Sequence, residues 1–181
     1  MSGNGLVRLS KLLSLMLRHE PSKFGLTLDA EGYASLDEVL GALRSQVPDA
    51  SVADIVAVVE TIEPDKRRFS ILGDDIRANY GHSLTERIQH EPATPPAILI
   101  HGTTESAAVR ILVEGLAPMR RQYVHLTVDA VLAAKVGGRR GAPVLLEVDT
   151  RAANAAGVVF YRANENFWLA DSVPAAFLRR R

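Results

Sequence analysis

Apolar residues recur at Leu6, Leu9, Leu13, Met16 and Leu17, the three-and-four spacing that gathers them on one face of an α-helix. The predicted helix runs from Leu6 to His19, and Pro21 stops it, because proline disfavours helical backbone in the residue before it. An extended piece from Phe24 to Asp29 turns at Glu31-Gly32. Ser35-Leu36-Asp37-Glu38 has the form of a capping box opening a helix of about ten residues. Ser51, with Asp54 three residues on, opens another helix that carries Ile55, Val58, Val59 and Ile62 on one face. Arg68 to Leu72 reads as a strand, Gly73-Asp74-Asp75 as a turn, and Ile76-Arg77-Ala78-Asn79 as the returning partner.

Three helices followed by a hairpin resemble a winged helix, a nucleic-acid-associated arrangement that does not by itself specify an activity. Beyond Ser83 the pattern breaks down, and Glu91-Pro92-Ala93-Thr94-Pro95-Pro96 makes a stiff, extended stretch. The expected division is a lobe over 1–83, a connector over 84–96 and a second lobe over 97–181. In the second lobe Ala97-Ile98-Leu99-Ile100 is a short apolar run ending at His101-Gly102-Thr103, and Glu105 to Glu114 is a helix stopped by Gly115. Tyr123-Val124-His125-Leu126-Thr127 alternates as a strand, and a helix from Asp129 to Val136 runs into the basic loop Gly137-Gly138-Arg139-Arg140-Gly141. Val144 to Val148 is a buried-type strand, followed by an Ala-rich helix to Gly157. Val158-Val159-Phe160-Tyr161 and Phe167-Trp168-Leu169-Ala170 pair as a hairpin. The whole is α+β in class.

Composition narrows the reading. A hydrophobic share of 47% with 23% charged residues is that of an ordinary globular chain. No run has the length of a membrane span and the N-terminus lacks a signal-peptide pattern, so the expectation is a cytoplasmic protein with no membrane partner. The absence of cysteine excludes disulfides, thiolate metal sites and cysteine nucleophiles, and the five histidines lack metal-ligand spacing, so no metal is expected. Net charge is zero, with 9 Lys/Arg against 12 Asp/Glu before Ser83 (−3) and 12 against 9 from there on (+3). Phosphate recognition must therefore come from individually placed arginines rather than bulk charge.

Candidate chemistry is concentrated in arginines and histidines beside turns. Arg18 and His19 sit at a helix exit, where two basic side chains complement the helix dipole. The same pair also makes a phosphate clamp with a titratable partner. His101-Gly102-Thr103 ends a predicted strand and precedes a helix, a place where amides and a histidine meet a ligand, though such a histidine serves equally as an internal structural residue. His125, in an alternating strand, has the same two readings. There is no Gly-x-Gly-x-x-Gly after a strand, no Walker loop and no Gly-x-Ser-x-Gly elbow, which leaves Rossmann, P-loop and serine-hydrolase chemistry without support.

Taken in order, Leu17-Arg18-His19, Arg68-Phe69, Ile76-Arg77-Ala78-Asn79-Tyr80-Gly81-His82-Ser83, His101-Gly102-Thr103, Gly115-Leu116, Met119-x-Arg121 and Val124-His125-Leu126 resemble the RNA 2′-phosphotransferase family of the KptA type, which removes an RNA 2′-phosphate using NAD. The resemblance spans nearly the whole chain. It implies a winged-helix-like N-terminal lobe that binds RNA and a C-terminal NAD-binding lobe like that of ADP-ribosyltransferases. It also implies a two-step reaction through an RNA 2′-phospho-ADP-ribose, giving RNA with a 2′-hydroxyl, nicotinamide and ADP-ribose 1″,2″-cyclic phosphate. By the same resemblance Arg18, His19, Arg68 and Arg121 are catalytic, three guanidiniums clamping the phosphate while His19 clamps or donates a proton. His101, Gly102, Thr103, His125 and Leu126 hold NAD, and Arg77, Asn79, Gly81 and His82 position RNA or brace the lobes. Arg18→Ala is expected to stop transfer while leaving the fold and NAD binding nearly intact.

Two departures stand out: Tyr123 replaces a histidine usual before Val-His-Leu, and Asn164-Glu165-Asn166-Phe167-Trp168 stands near the family's Asn-Gly-Val stretch. Glu165 reads as an exposed hairpin-turn residue. Alternative functions are ADP-ribosyl capping of nucleic-acid 5′-phosphate ends and a winged-helix nucleic-acid-binding module without activity. The substrate expected is a tRNA-like RNA of a splicing pathway, and the protein is expected to be a monomer.

Overall fold

The computed structural model describes residues 3–61, 67–138 and 141–181. Ile62 of the third predicted helix, and Arg139 and Arg140 of the basic loop, lie outside these residues. The chain is mixed α/β and divides into two compact units, Met1–Gln89 and His90–Arg181.

In the first unit the apolar stripe of the N-terminal segment becomes α1 (Gly3–Arg18), with Leu9, Leu13, Met16 and Leu17 each no more than 1% exposed. They pack on Val39, Leu40 and Leu43 of α2 (Leu36–Arg44) and Ile55 and Val58 of α3 (Val52–Thr61). The predicted hairpin is present as β2 (Phe69–Leu72) and β3 (Asp75–Ala78), but it has a third member, β1 (Tyr33–Ser35), in an antiparallel sheet ordered β1-β3-β2.

That third strand overturns the capping box at Ser35. Ser35 pairs with Asp75, its side chain makes no cap bond, and the first amide of α2, Leu36, donates instead to Asp74 O at 2.8 Å. Backbone pairing with the sheet, rather than a side-chain box, fixes the start of α2. The box at α3 does form: Asp54 N–H donates to Ser51 Oγ at 3.3 Å and Ser51 N–H to Asp54 Oδ2 at 3.1 Å. The Ser51 hydroxyl also donates to Asp54 Oδ2 at 2.6 Å, and this bond, with the weaker one from the Ser51 amide, holds the Asp54 carboxyl below its ordinary range.

The second unit is built on a six-stranded antiparallel sheet ordered β7-β8-β5-β4-β6-β9. Its strands are β4 (Ile98–Thr104), β5 (Val124–Thr127), β6 (Pro143–Asp149), β7 (Phe160–Arg162), β8 (Phe167–Ala170) and β9 (Leu178–Arg180). The helices are α4 (Glu105–Glu114), α5 (Ala130–Gly137) and α6 (Thr150–Ala155). The short edge strand β9 has no counterpart in the sequence reading. Residues 84–96, the expected connector, include the division between the units and bond to both. Ile88 is 3% exposed and Gln89 N–H bonds Ala30 O in the first unit, whereas Pro92 pairs with Tyr161 and Ala93 N–H bonds Phe160 O in the second.

The stretch expected to end a strand, His101-Gly102-Thr103, lies inside one: these residues pair with Leu146, Leu145 and Val144 of β6. Toward β5 the ladder is sparse, with Ile100 opposite Thr127 the register pair these strands share among the described residues. Because neighbours alternate and partners share a face, Leu99, His101 and Thr103 face one way, and Ile100, Gly102, Thr127 and His125 the other. On the first face α4 covers Val144 and Leu146 with Ala108. On the second, α5 lies backbone to backbone on β4: a Cβ on Gly102 would fall 1.8 Å from Ala133 O, and one on Gly137 2.6 Å from Thr103 N.

Where β4 and β5 part, the imidazole of His101 joins them, its Nδ1–H donating to His125 O at 3.0 Å. Burial lowers the His101 pKa from its ordinary 6.5, with the bond to the His125 carbonyl opposing the shift.

Two outcomes follow for stability. Gly102→Ala should lose about 3 kcal/mol or more, because helix backbone cannot yield, whereas Gly41→Ala, exposed on α2 with open space around it, should gain about 0.5 to 1 kcal/mol; urea unfolding of both variants checks the contrast. The unfolded chain protonates His101 below about pH 6.5 while the folded chain resists, so its contribution is full above that pH and declines as pH falls through it. His101→Asn, which keeps a donor but cannot titrate, should therefore lose less stability than the native protein between about pH 7.5 and pH 5.5; equal losses would refute this.

Candidate functional site

In the first unit the end of α1 is built around one charged side chain. Arg18 is 8% exposed, and its guanidinium carbon lies 5.4 Å from the ring centre of Phe69 and 5.0 Å from that of Tyr80. A guanidinium is weakly hydrated and planar, so aromatic faces accept it at a cost that an ammonium would not escape. Its Nη2 donates to Arg68 O at 3.2 Å. Phe69 is available for this contact because it pairs with Ala78 on the buried face of the small sheet.

Arg68 follows the same helix in the opposite direction: its Nη1 donates to Ser10 Oγ at 3.3 Å. Ser10 is 2% exposed and sits inside the apolar stripe of α1, where a hydroxyl needs a polar partner. That position is a legible signal the sequence reading passed over.

Residues 79–83 tie these parts together. Asn79 N–H also bonds Arg68 O at 2.9 Å, Asn79 Nδ2 donates to Arg67 O at 2.8 Å, and Asn79 Oδ1 accepts from Ser70 Oγ at 2.8 Å. Asn79 is thus committed to holding the start of β2. Gly81 takes φ 90, a left-handed value that favours glycine, and His82 is buried at 2% exposure. Ser83 then returns to the helix end: its N–H donates to Arg18 O at 3.0 Å and its Oγ lies 2.8 Å from Nδ1 of His19. His19 and Ser83 both line a cleft of 610 Å³, with Leu26, Asp29, Arg87 and Ile88 among its walls. Arg77 is placed apart, on the opposite face of the sheet from Phe69, where its guanidinium stacks 4.7 Å from the Tyr33 ring centre and donates to Glu31 O at 3.4 Å.

Burial changes one expectation. Arg18 is an integral part of the packing at the end of α1, so Arg18→Ala removes aromatic contacts and a hydrogen bond along with the charge; it does not leave the fold untouched.

In the second unit the predicted residues have different surroundings. Gly102 is required by the contact with α5, and Leu126, 1% exposed opposite Trp168, is a core side chain with no surface to offer a ligand. His101 and His125 stand on opposite faces of the sheet and meet only through the His125 carbonyl. Arg121 is exposed at the end of a turn closed by its own N–H to Pro118 O at 3.0 Å, with Met119 at φ 57. The loop is tethered at one end by Leu116, which exchanges backbone bonds with Val173, and at the other by Tyr123. Tyr123 is buried, its ring edge-on to His90 at 5.3 Å and to Tyr161 at 5.4 Å. The tyrosine that replaces the expected histidine is a packing residue. Asn164 Oδ1 accepts from the amides of Asn166 and Phe167, which leaves Glu165 exposed at the hairpin tip.

Of the four residues assigned to phosphate transfer, Arg18, His19 and Arg68 lie in the first unit, where Arg18 bonds the Arg68 carbonyl while the Arg68 guanidinium is held by Ser10, and Arg121 belongs to the second. Among the described residues no group of three or more His, Asp or Glu is placed to hold a metal ion, and no helix is long and apolar enough to cross a membrane.

Residues 4–172 match the model of the RNA 2′-phosphotransferase, Tpt1 / KptA family. Three similar proteins carry the name "Probable RNA 2′-phosphotransferase". One, from Hahella chejuensis, is 42% identical over 93% of this chain and 91% of its own. Another, from Streptomyces griseus, is 43% identical over 97% and 96%, and a third, from Acetivibrio thermocellus, is 41% identical over 95% of each. With a match that takes in the Arg18 cluster, the strand histidines and the Arg121 loop alike, the chain belongs to the RNA 2′-phosphotransferase family.

Proposed function

We infer that the protein is an NAD-dependent RNA 2′-phosphotransferase, moving an internal 2′-phosphate from RNA to NAD. The observation that carries the reading is the Arg18–His19–Arg68 cluster, held by residues 79–83 in a chain of this family. Transfer concentrates negative charge on phosphate oxygens, and preorganised guanidiniums stabilise that charge without reorganising at the moment of reaction. Arg18, fixed by two rings and a carbonyl, has little freedom to lose on binding phosphate. Arg68 and Arg121 are assigned to the phosphate by the family resemblance, and His19 protonates the departing RNA 2′-oxygen.

The second unit is read as the NAD-binding lobe, similar to that of ADP-ribosyltransferases, and the first as a winged-helix RNA-binding lobe. Three helices with a three-stranded antiparallel sheet support the latter. The parting of β4 from β5 supports the former, because a strand edge without a continuous ladder suits a ligand with amide and hydroxyl groups. When bound there, NAD supplies the ribose carbon and hydroxyl to which the phosphate is passed. His101, Thr103 and His125 are the side chains that would hold it. The lobe is proposed to work as part of a cytoplasmic monomer acting on tRNA-like RNA.

The test is incubation with an RNA bearing an internal 2′-phosphate and NAD. The expected products are RNA with a 2′-hydroxyl, free nicotinamide and ADP-ribose 1″,2″-cyclic phosphate. Nicotinamide release with 5′-phosphorylated but not 2′-phosphorylated RNA would replace the reading with end capping, and no release with either would leave a binding module. Arg18→Lys keeps the charge but not the plane that stacks on Phe69 and Tyr80. Its transfer rate should fall about 100-fold or more, a loss measured under single turnover.

A further inference from the structure

We propose that Ser83 is a positioning residue for His19: its hydroxyl holds Nδ1, so that Nε2 is the ring nitrogen presented to the transferring phosphate. Ser83 makes two bonds to consecutive residues 64 and 65 positions earlier in the chain, N–H to Arg18 O at 3.0 Å and Oγ with Nδ1 of His19 at 2.8 Å. The first satisfies a carbonyl left over at the end of α1, and any residue except proline would make it. The side-chain bond is therefore not needed for capping, and its recipient is the one titratable group of the cluster.

The bond has a chemical consequence. A hydroxyl rotates, so it can donate to Nδ1 of a neutral ring or accept from Nδ1–H of the imidazolium. In these two states, which we assign to His19, Nε2 carries a proton; the neutral ring protonated at Nδ1 would leave Nε2 without one. When the phosphorus–O2′ bond breaks, its electron pair goes to O2′ and that proton follows, while the accepting ribose hydroxyl loses its own proton to solvent. A carboxylate in place of Ser83 would instead add negative charge beside an anionic substrate. The backbone keeps the hydroxyl in place: Tyr80 lies against Arg18, Gly81 turns the chain, and His82 is buried immediately before Ser83. Ser83 itself is exposed and lines the cleft that His19 also lines.

The proposal rests on the phosphotransferase reading, and the experiment separates the two. Transfer rates are measured for the native protein, Ser83→Ala, Ser83→Thr, His19→Ala and the double variant, together with the ¹⁵N resonance of His19 Nδ1. Ser83→Ala should lower the rate at saturating RNA and NAD about tenfold or more, leave the KM for NAD unchanged, and move the Nδ1 resonance. Ser83→Thr should restore both. On the His19→Ala background, Ser83→Ala should cost nothing further, since an interaction already broken cannot be broken twice. A full additional loss on that background, or a Ser83→Ala protein with native rate and unmoved resonance, overturns the proposal. If the native protein transfers no phosphate, the phosphotransferase reading falls, and the resonance alone decides whether Ser83 holds the ring.

Discussion

A guanidinium taken out of water has to be met by faces and acceptors that substitute for it. Arg18 imposes that requirement on the first unit. The rings of Phe69 and Tyr80 and the carbonyl of Arg68 supply what it needs, and they come from two parts of the chain: the start of β2 and the segment after β3. To bring them to the end of α1, the hairpin must close in the register that sets Phe69 opposite Ala78, and the chain must then double back through Gly81. The seat of Arg18 and the fold of this unit are thus one set of contacts. A guanidinium fixed in this way holds its place without a ligand, the preorganisation that the proposed phosphate clamp requires.

The second unit is governed by a contact without side chains. Gly102 and Gly137 let α5 lie directly on β4, closer than any other residue pair would permit. On the other edge β4 has little ladder with β5, and a buried imidazole bridges the interval. A strand pressed by a helix on one face and incompletely paired on one edge is a rigid support with an unfinished side, the kind of place where backbone and ligand can share hydrogen bonds.

The long, strongly periodic segments were legible in the sequence because their burial depends on their own spacing: α1 and the opening of α3 follow directly from the positions of Leu9, Leu13, Ser51 and Asp54. The strands β1 and β9, three residues each, were not, since their pairing is decided by partners far along the chain. The same cause makes Ser35 the last residue of a strand as well as the N-cap position of α2, without a side-chain cap bond. At the site, residue identities were legible as motifs, but their surroundings were not. Nothing in Arg18-His19 says that one side chain is buried against two rings while the next is held by Ser83, and nothing in His101-Gly102-Thr103 separates a bridging imidazole from a packing glycine. Ser10 was the readable exception, a hydroxyl where the helix stripe calls for an apolar residue.

Ser10 also makes α1 a spacer of fixed length. It holds the guanidinium of Arg68 while Arg18, eight residues on and about 12 Å along the axis, holds the Arg68 carbonyl. One residue of the small sheet is thereby gauged against two points of a single helix. Substitutions on the outer face of α1 leave that gauge alone, but inserting or removing one residue between Ser10 and Arg18 rotates the two points by about 100° relative to each other. The outer face of the stretch is therefore free to drift in composition while its length is closed to change, a form of constraint that an inventory of essential side chains would not register.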